Sequence, residues 1–183
     1  MVQENPTSPF EIGKDLWIRA RTNAFANELA VSYYTRFSNI LYGLELFFLV
    51  SAIGLVSYSY SIAGSATGSN PNTLFPLFSL LTVIFNTIAL YISIFSVKLS
   101  LSESAFRYKE QLSMYSLISQ KARQLDHSMH DDEDALKFAV YLQDLFEITK
   151  SRGIEPDNKF FIKGKTLLKG LNTYPFGLTK NDL

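Results

Sequence analysis

Two long apolar stretches decide the fold of this chain: NILYGLELFFLVSAIGLVSYSYSI at residues 39–62 and LFPLFSLLTVIFNTIALYISIFSV at residues 74–97. Each has 24 residues, and about 20 helical residues are enough to cross the hydrocarbon of a bilayer. No charged residue occurs in the 52 positions between Glu45 and Lys98, where an ordinary soluble domain would carry roughly a dozen. The connecting AGSATGSNPNT is short, uncharged and turn-forming. We therefore predict a hairpin of two antiparallel transmembrane helices.

The basic residues predict the orientation of this hairpin. They precede the first span or follow the second span, and the segment that connects the two spans contains none. The flanking residues are Lys14, Arg19, Arg21, Arg36, Lys98, Arg107 and Lys109. Because cytoplasmic segments next to spans are enriched in Lys and Arg, we expect both termini to be cytoplasmic.

Helices are predicted on both sides of the hairpin. After a flexible leader at residues 1–10, residues 11–37 have helical spacing, and residues 98–126 continue the second span as a helix. The helix over residues 98–126 has an apolar seam along one face, and this seam needs a partner helix. That partner is either the 11–37 helix or the same helix of a neighbouring copy. The seam consists of Leu101, Ala105, Tyr108, Leu112, Tyr115, Ile118, Ala122 and Leu125.

A separate cytoplasmic region, a helix and a basic tail, is predicted at residues 127–183. Its helix covers residues 132–152, with acidic residues at the start and Gly153 at the end. The remaining residues are interrupted by Gly and Pro, and KFFIKGKTLL at residues 159–168 is compatible with a short strand pair or hairpin. The predicted fold is an all-α membrane protein with a small irregular or short-strand C-terminal region.

Small and polar residues form one face of the second span and of the helix that follows it. This stripe is compatible with a water-lined pore assembled from several copies. It is also compatible with close helix packing through small residues and hydroxyl hydrogen bonds. We favour the pore, since the stripe continues to an acidic residue. The stripe consists of Ser79, Thr82, Asn86, Ala89, Ser93, Ser96, Ser100 and Glu103.

Glu45 is the acidic residue at the start of the first span. An ionisable group within hydrocarbon is a functional candidate because its burial is costly. Glu45 lies within a turn or two of the predicted boundary, where its carboxylate can extend into the interface. We favour that second interpretation.

The C-terminal tail is basic and aromatic. Five lysines and no acidic residue occur between Lys159 and Lys180, with aromatic residues among them. This composition suits single-stranded nucleic acid or nucleotide, anionic lipid headgroups, or a small soluble subdomain with a lysine-bearing surface. The candidate residues for an anionic ligand are Lys121, Arg123, Lys159, Lys163, Lys165 and Lys169.

No catalytic constellation is found in the sequence. It has no cysteine, no Gly-rich phosphate loop, no nucleophile elbow and no metalloprotease motif. His127 and His130 are three residues apart, a spacing that two metal ligands on one helix would have. The adjacent acidic residues are explained by a helix start, so we assign no metal, no cofactor and no enzymatic activity.

The order of parts resembles a known prokaryotic family. DLWIRARTNAFANELAVSYYTRF precedes the hairpin, and SAFRYKEQLSMYSLISQKARQL follows it. Over residues 11–126 this layout is similar to the SLATT domain, a two-transmembrane effector associated with SMODS nucleotidyltransferases and SLOG sensors. The resemblance implies an antiviral effector in the bacterial inner membrane that responds to a nucleotide made by a partner nucleotidyltransferase.

These observations lead to three functional hypotheses. The first is a homo-oligomeric pore, for example a tetramer, gated on its cytoplasmic side by a cyclic nucleotide or short oligonucleotide. The second is a non-conducting membrane anchor or scaffold that recruits a soluble partner. The third is a small transporter, which no internal repeat supports.

Overall fold

The computed structural model describes residues 8–65, 74–127 and 133–183. Over these residues the chain is helical and forms no strand. Contacts divide it into two units: a hairpin unit, Tyr34–Ser102, and a bundle unit made of the residues up to Tyr33 together with Glu103–Leu183. The described helices are α1 (Pro9–Ser65), α2 (Leu74–Leu99), α3 (Leu101–Ala122), α4 (Glu133–Arg152) and α5 (Asn158–Lys169), with short 3₁₀ helices at Arg123–His127 and Lys180–Asp182.

Helix α1 begins at Pro9, inside the predicted leader. The buried Ser8 precedes it, and Ser8 Oγ accepts a hydrogen bond from the backbone N–H of Glu11 at 3.2 Å. Serine is a favoured residue before a helix, and proline suits the first helical position because its missing N–H would have no helical partner. Phe10 packs edge-on against Phe176, with ring centroids 5.3 Å apart. The folded chain therefore extends to Ser8.

Two helices are long and apolar enough to cross a membrane. Of their most apolar 18-residue windows, 11% and 6% is buried, whereas a core helix of a soluble protein is mostly buried. The predicted 11–37 helix and the first span form one helix, α1, and α2 ends at Leu99, close to the predicted 97. Ser100 has a φ of 45° and interrupts the helix before α3 begins. Left-handed φ is unfavourable for a residue with a side chain, so this is a defined break.

The core of the bundle unit contains the predicted seam of α3 from Leu112 to Leu125. Every residue of that seam is buried or half-buried. Its partner is the first part of α1 in the same chain: a Cβ placed on Gly13 would lie 2.8 Å from Leu125 Cβ. One face of α4 packs into the same core. The buried core residues from these three helices include Ile12, Leu16, Trp17, Ala20, Tyr115, Ile118, Ala122, Ala139, Leu142 and Phe146.

The strand pair considered for KFFIKGKTLL is wrong, because these residues lie in helix α5. Phe160, Gly164 and Leu168 recur every four residues and form its buried face. A Cβ on Gly164 would lie 3.0 Å from the carbonyl oxygen of Thr22 and 3.2 Å from the backbone nitrogen of Ala26. The glycine therefore does not break the helix. It lets α5 approach the backbone of α1.

Candidate functional site

The hairpin unit is held together by an antiparallel helix seam. Phe48 packs against Phe85 with ring centroids 5.5 Å apart, and Tyr58 packs against Phe78 at 5.3 Å. The residue numbers of the contacting pairs rise along α1 and fall along α2, so the two helices are antiparallel. Buried and half-buried residues line the seam at spacings of three and four. They are Leu41, Glu45, Phe48, Ala52, Leu55 and Ser59 on α1, and Phe78, Thr82, Phe85, Ala89, Ile92 and Ser96 on α2.

This seam divides the predicted pore-lining stripe into two sets. Thr82, Ser93 and Ser96 are half-buried, and Thr82 Oγ1 donates to the carbonyl oxygen of Phe78 at 2.9 Å. Ala89 is buried. Small residues of this kind let two helices approach closely, which is the packing interpretation of the stripe. The exposed set is Ser79, Asn86, Ser100 and Glu103.

Asn86 is the most informative residue of the exposed set. It lies at the midpoint of α2, and in the part of the chain that the structure describes its amide forms no hydrogen bond. The neighbouring Thr87 is also exposed, but its hydroxyl donates to the carbonyl oxygen of Val83 at 2.8 Å. Placing an amide in hydrocarbon without a hydrogen-bond partner costs roughly several kcal/mol of free energy. If α2 crosses a bilayer, Asn86 needs water or another protein chain.

Glu45 faces the seam of the hairpin. It is half-buried between Leu41 and Phe48 on the same helical face. Among the residues that the structure describes, no basic group pairs with it. Its position in the seam favours the interpretation of this carboxylate as a functional residue.

The bundle unit contains a buried polar bridge centred on Gln111. With its amide oriented so that donors face acceptors, Gln111 Nε2 donates to Asn27 Oδ1 at 3.2 Å and to the carbonyl oxygen of Ile154 at 2.9 Å. Its Oε1 accepts from the backbone N–H of Ile154 at 3.1 Å. Gln111 and Asn27 are both buried. The bridge therefore joins α1, α3 and the segment after α4, and buried hydrogen bonds of this kind are costly to break.

The predicted anion-binding lysines do not converge on one point. The exposed Lys159, Lys163, Lys165 and Lys169 flank the buried face of α5 on both sides. Lys159 Nζ pairs with Asp157 Oδ2 at 3.1 Å.

Arg123 has a different environment from the lysines. Its positive charge acts on Arg21, a residue that the sequence interpretation did not include among the anion-binding candidates. The guanidinium of Arg123 lies 5.9 Å from the ring centroid of Trp17, and that of Arg21 lies 4.5 Å from the ring of Phe25. The pKa of Arg21 is lowered, first by burial and then by the positive charge of Arg123. An anion would offset this repulsion. The spacing of Trp17, Arg21 and Phe25, four residues apart, was the available signal. Lys121 is half-buried at the end of α3.

The structure adds no candidate metal centre over the residues it describes. No group of three or more His, Cys, Asp or Glu side chains is placed to hold a metal there. Of the two histidines considered as metal ligands, His130 lies outside the described residues.

Comparison with known proteins gives no relative. The sequence matches no family model, and no curated protein or solved structure matches it significantly.

Proposed function

We propose that this protein is a homo-oligomeric membrane pore of the SLATT type, an effector of bacterial antiviral defence in the inner membrane. Its ligand is a nucleotide, either a cyclic nucleotide or a short oligonucleotide, supplied by a partner nucleotidyltransferase. The ligand binds the cytoplasmic bundle unit and changes the balance between closed and open states. It can do so only through different affinities for the two states.

The exposed amide of Asn86 carries the pore proposal. It lies at the middle of an apolar helix, with the exposed Ser79 one heptad before it and the half-buried Ser93 one heptad after it. Turning this line inward in an oligomer gives the amide water or a second copy as its partner. Lipid hydrocarbon offers the amide no hydrogen-bond partner. The flanking basic residues support cytoplasmic termini by the positive-inside bias.

A liposome flux assay with two matched variants tests this proposal. Asn86→Leu removes the unpartnered amide, and Thr87→Leu removes a neighbouring exposed hydroxyl that bonds within its own helix. We expect Asn86→Leu to reduce K⁺ flux at least fivefold and Thr87→Leu to leave it near wild type. Assembly should be largely retained, because one interhelical hydrogen bond in a membrane contributes only about 1 kcal/mol. Equal flux from both variants would contradict the assignment of Asn86 to the pore.

A scaffold is the second candidate, favoured by one observation. Thr82, Ala89 and Ser96 face the hairpin seam, where they serve packing within one chain. A scaffold predicts that reconstituted protein passes no ions in any ligand state, while a soluble partner is still recruited to the membrane.

A further inference from the structure

A cavity of about 320 Å³ lies in the bundle unit between α3 and the last turns of α4. Its size falls within the range of small-molecule sites. It does not overlap the predicted lysine surface of α5. The lining residues are Arg107, Glu110, Gln111, Met114, Leu145, Ile148, Thr149, Arg152, Gly153 and Ile154.

The lining combines an apolar part with charged groups. Met114, Leu145 and Ile148 supply the apolar surface, while Arg107 and Arg152 are exposed guanidinium groups. With the carboxylate of Glu110, the lining carries a net charge of plus one: two arginines less one acid. Arg107 also pairs with Glu103 at 2.5 Å, whereas Arg152 has no ion pair within the described ranges. Arg152 is therefore available to a ligand.

The wall of the cavity includes the polar bridge of the bundle. Gln111 and Ile154 both line it, and Gln111 bonds to Asn27 of α1 and to the backbone of Ile154. A ligand here touches α3, α4 and a group bonded to α1. A second cavity of about 200 Å³ also includes Gln111 and Ile154 in its lining. Through Gln111, the wall of the larger cavity is thus hydrogen-bonded to α1 within the bundle unit.

We infer that the larger cavity binds a small phosphodiester: one negative charge held by Arg152 and Arg107, joined to an apolar or planar body that packs on Met114, Leu145 and Ile148. Arg152, which has no ion pair within the described ranges, offers a positive charge to the single negative charge of the ligand, and guanidinium groups bind phosphate oxygens in a bidentate manner. A cyclic mononucleotide and an anionic phospholipid headgroup share this chemistry. The inference deepens the proposed function by locating its ligand, and it rests on that proposal for the consequence of binding.

Calorimetric titration of the full chain in neutral detergent tests the site. The two probes are 3′,5′-cyclic AMP and glycerophosphoglycerol, and the variants are Arg152→Gln, Arg107→Gln and a control, Lys137→Gln. Lys137 is an exposed cation on α4 outside the cavity. We expect at least one probe to bind saturably, and each arginine variant to weaken it by roughly tenfold or more, as for a lost charge-assisted hydrogen bond. Lys137→Gln should bind as wild type does, and the preferred probe identifies nucleotide or lipid as the source.

Two results would overturn the inference. One is the absence of saturable binding of either probe to protein that circular dichroism shows to be folded. The other is an equal loss of affinity in Lys137→Gln and Arg152→Gln. Ion flux separates this inference from the proposed function: binding without flux refutes the pore and leaves the site, while flux without binding refutes the site alone.

Discussion

At the scale of single residues, Gly153 is required by a close approach. A Cβ at this position would lie 1.3 Å from a terminal atom of the Gln111 amide and 3.0 Å from the carbonyl oxygen of Thr149. Any side chain here must displace Gln111 from its bonds to Asn27 and Ile154, leaving buried polar groups without partners. The glycine does more than end helix α4.

We predict that Gly153→Ala lowers the free energy of unfolding of the bundle unit by about 1–3 kcal/mol, the usual cost of unsatisfied buried polar groups. Thermal and denaturant unfolding followed by circular dichroism measures this. Gly43→Ala is the matched control, since its Cβ would meet nothing within 4 Å. A Gly153→Ala protein as stable as the control would show that the Gln111 bridge contributes little.

Tyr115 gives a pH prediction. Burial, the largest cause, together with the negative charges of Glu155 and Glu147 raises its pKa to about 12. The neutral phenol is therefore stabilised in the folded state, fully so below pH 10, and the contribution is lost as pH rises through 12. We expect the free energy of unfolding to fall across pH 10–12. Tyr115→Phe should lack that component, which the difference between the two pH profiles measures. Identical profiles would contradict the assignment.

The sequence predicted some of these residues and not others. Gly153 was expected at the end of α4 from local composition. Gln111 was not singled out, because its importance comes from Asn27 and Ile154, which are 84 and 43 positions away along the chain. Polar bridges of this kind depend on tertiary contacts that no local pattern encodes.

At the scale of elements, α5 shows why composition misled. The Gly and Pro residues of the tail suggested turns and a short strand pair, but the four-residue repeat of Phe160, Gly164 and Leu168 is helical. Tertiary packing on α1 outweighs the low helix propensity of glycine, about 1 kcal/mol. The seam of α3 was predicted correctly because its periodicity is longer and has no glycine.

We predict that Gly164→Val displaces α5 from α1, because its Cβ would press on the backbone at Thr22 and Ala26. The expected cost is about 1–3 kcal/mol, typical of overpacking. Hydrogen–deuterium exchange should show faster exchange of α5 amides in this variant. Thr166→Val, at an exposed position of the same helix, is the control. Unchanged exchange in Gly164→Val would mean that α5 tolerates a wider separation.

At the scale of the whole molecule, two units with different surfaces follow from the charge pattern. The uncharged stretch between Glu45 and Lys98 lies in the hairpin unit, whose large apolar side chains are exposed. The bundle unit has its own buried core of aromatic and aliphatic residues. Two helices long and apolar enough to cross a membrane could be predicted, since hydropathy acts residue by residue. Oligomeric state and ligand binding could not, because they depend on complementary surfaces of other molecules.

Current through a planar bilayer tests the central claim most directly. Purified protein would be inserted with its bundle unit facing one chamber, and cyclic nucleotides or short oligonucleotides would be added to each chamber in turn. The pore proposal predicts discrete current steps whose open probability changes only when ligand is added on the bundle side. A folded oligomer that passes no current in any ligand state would contradict it.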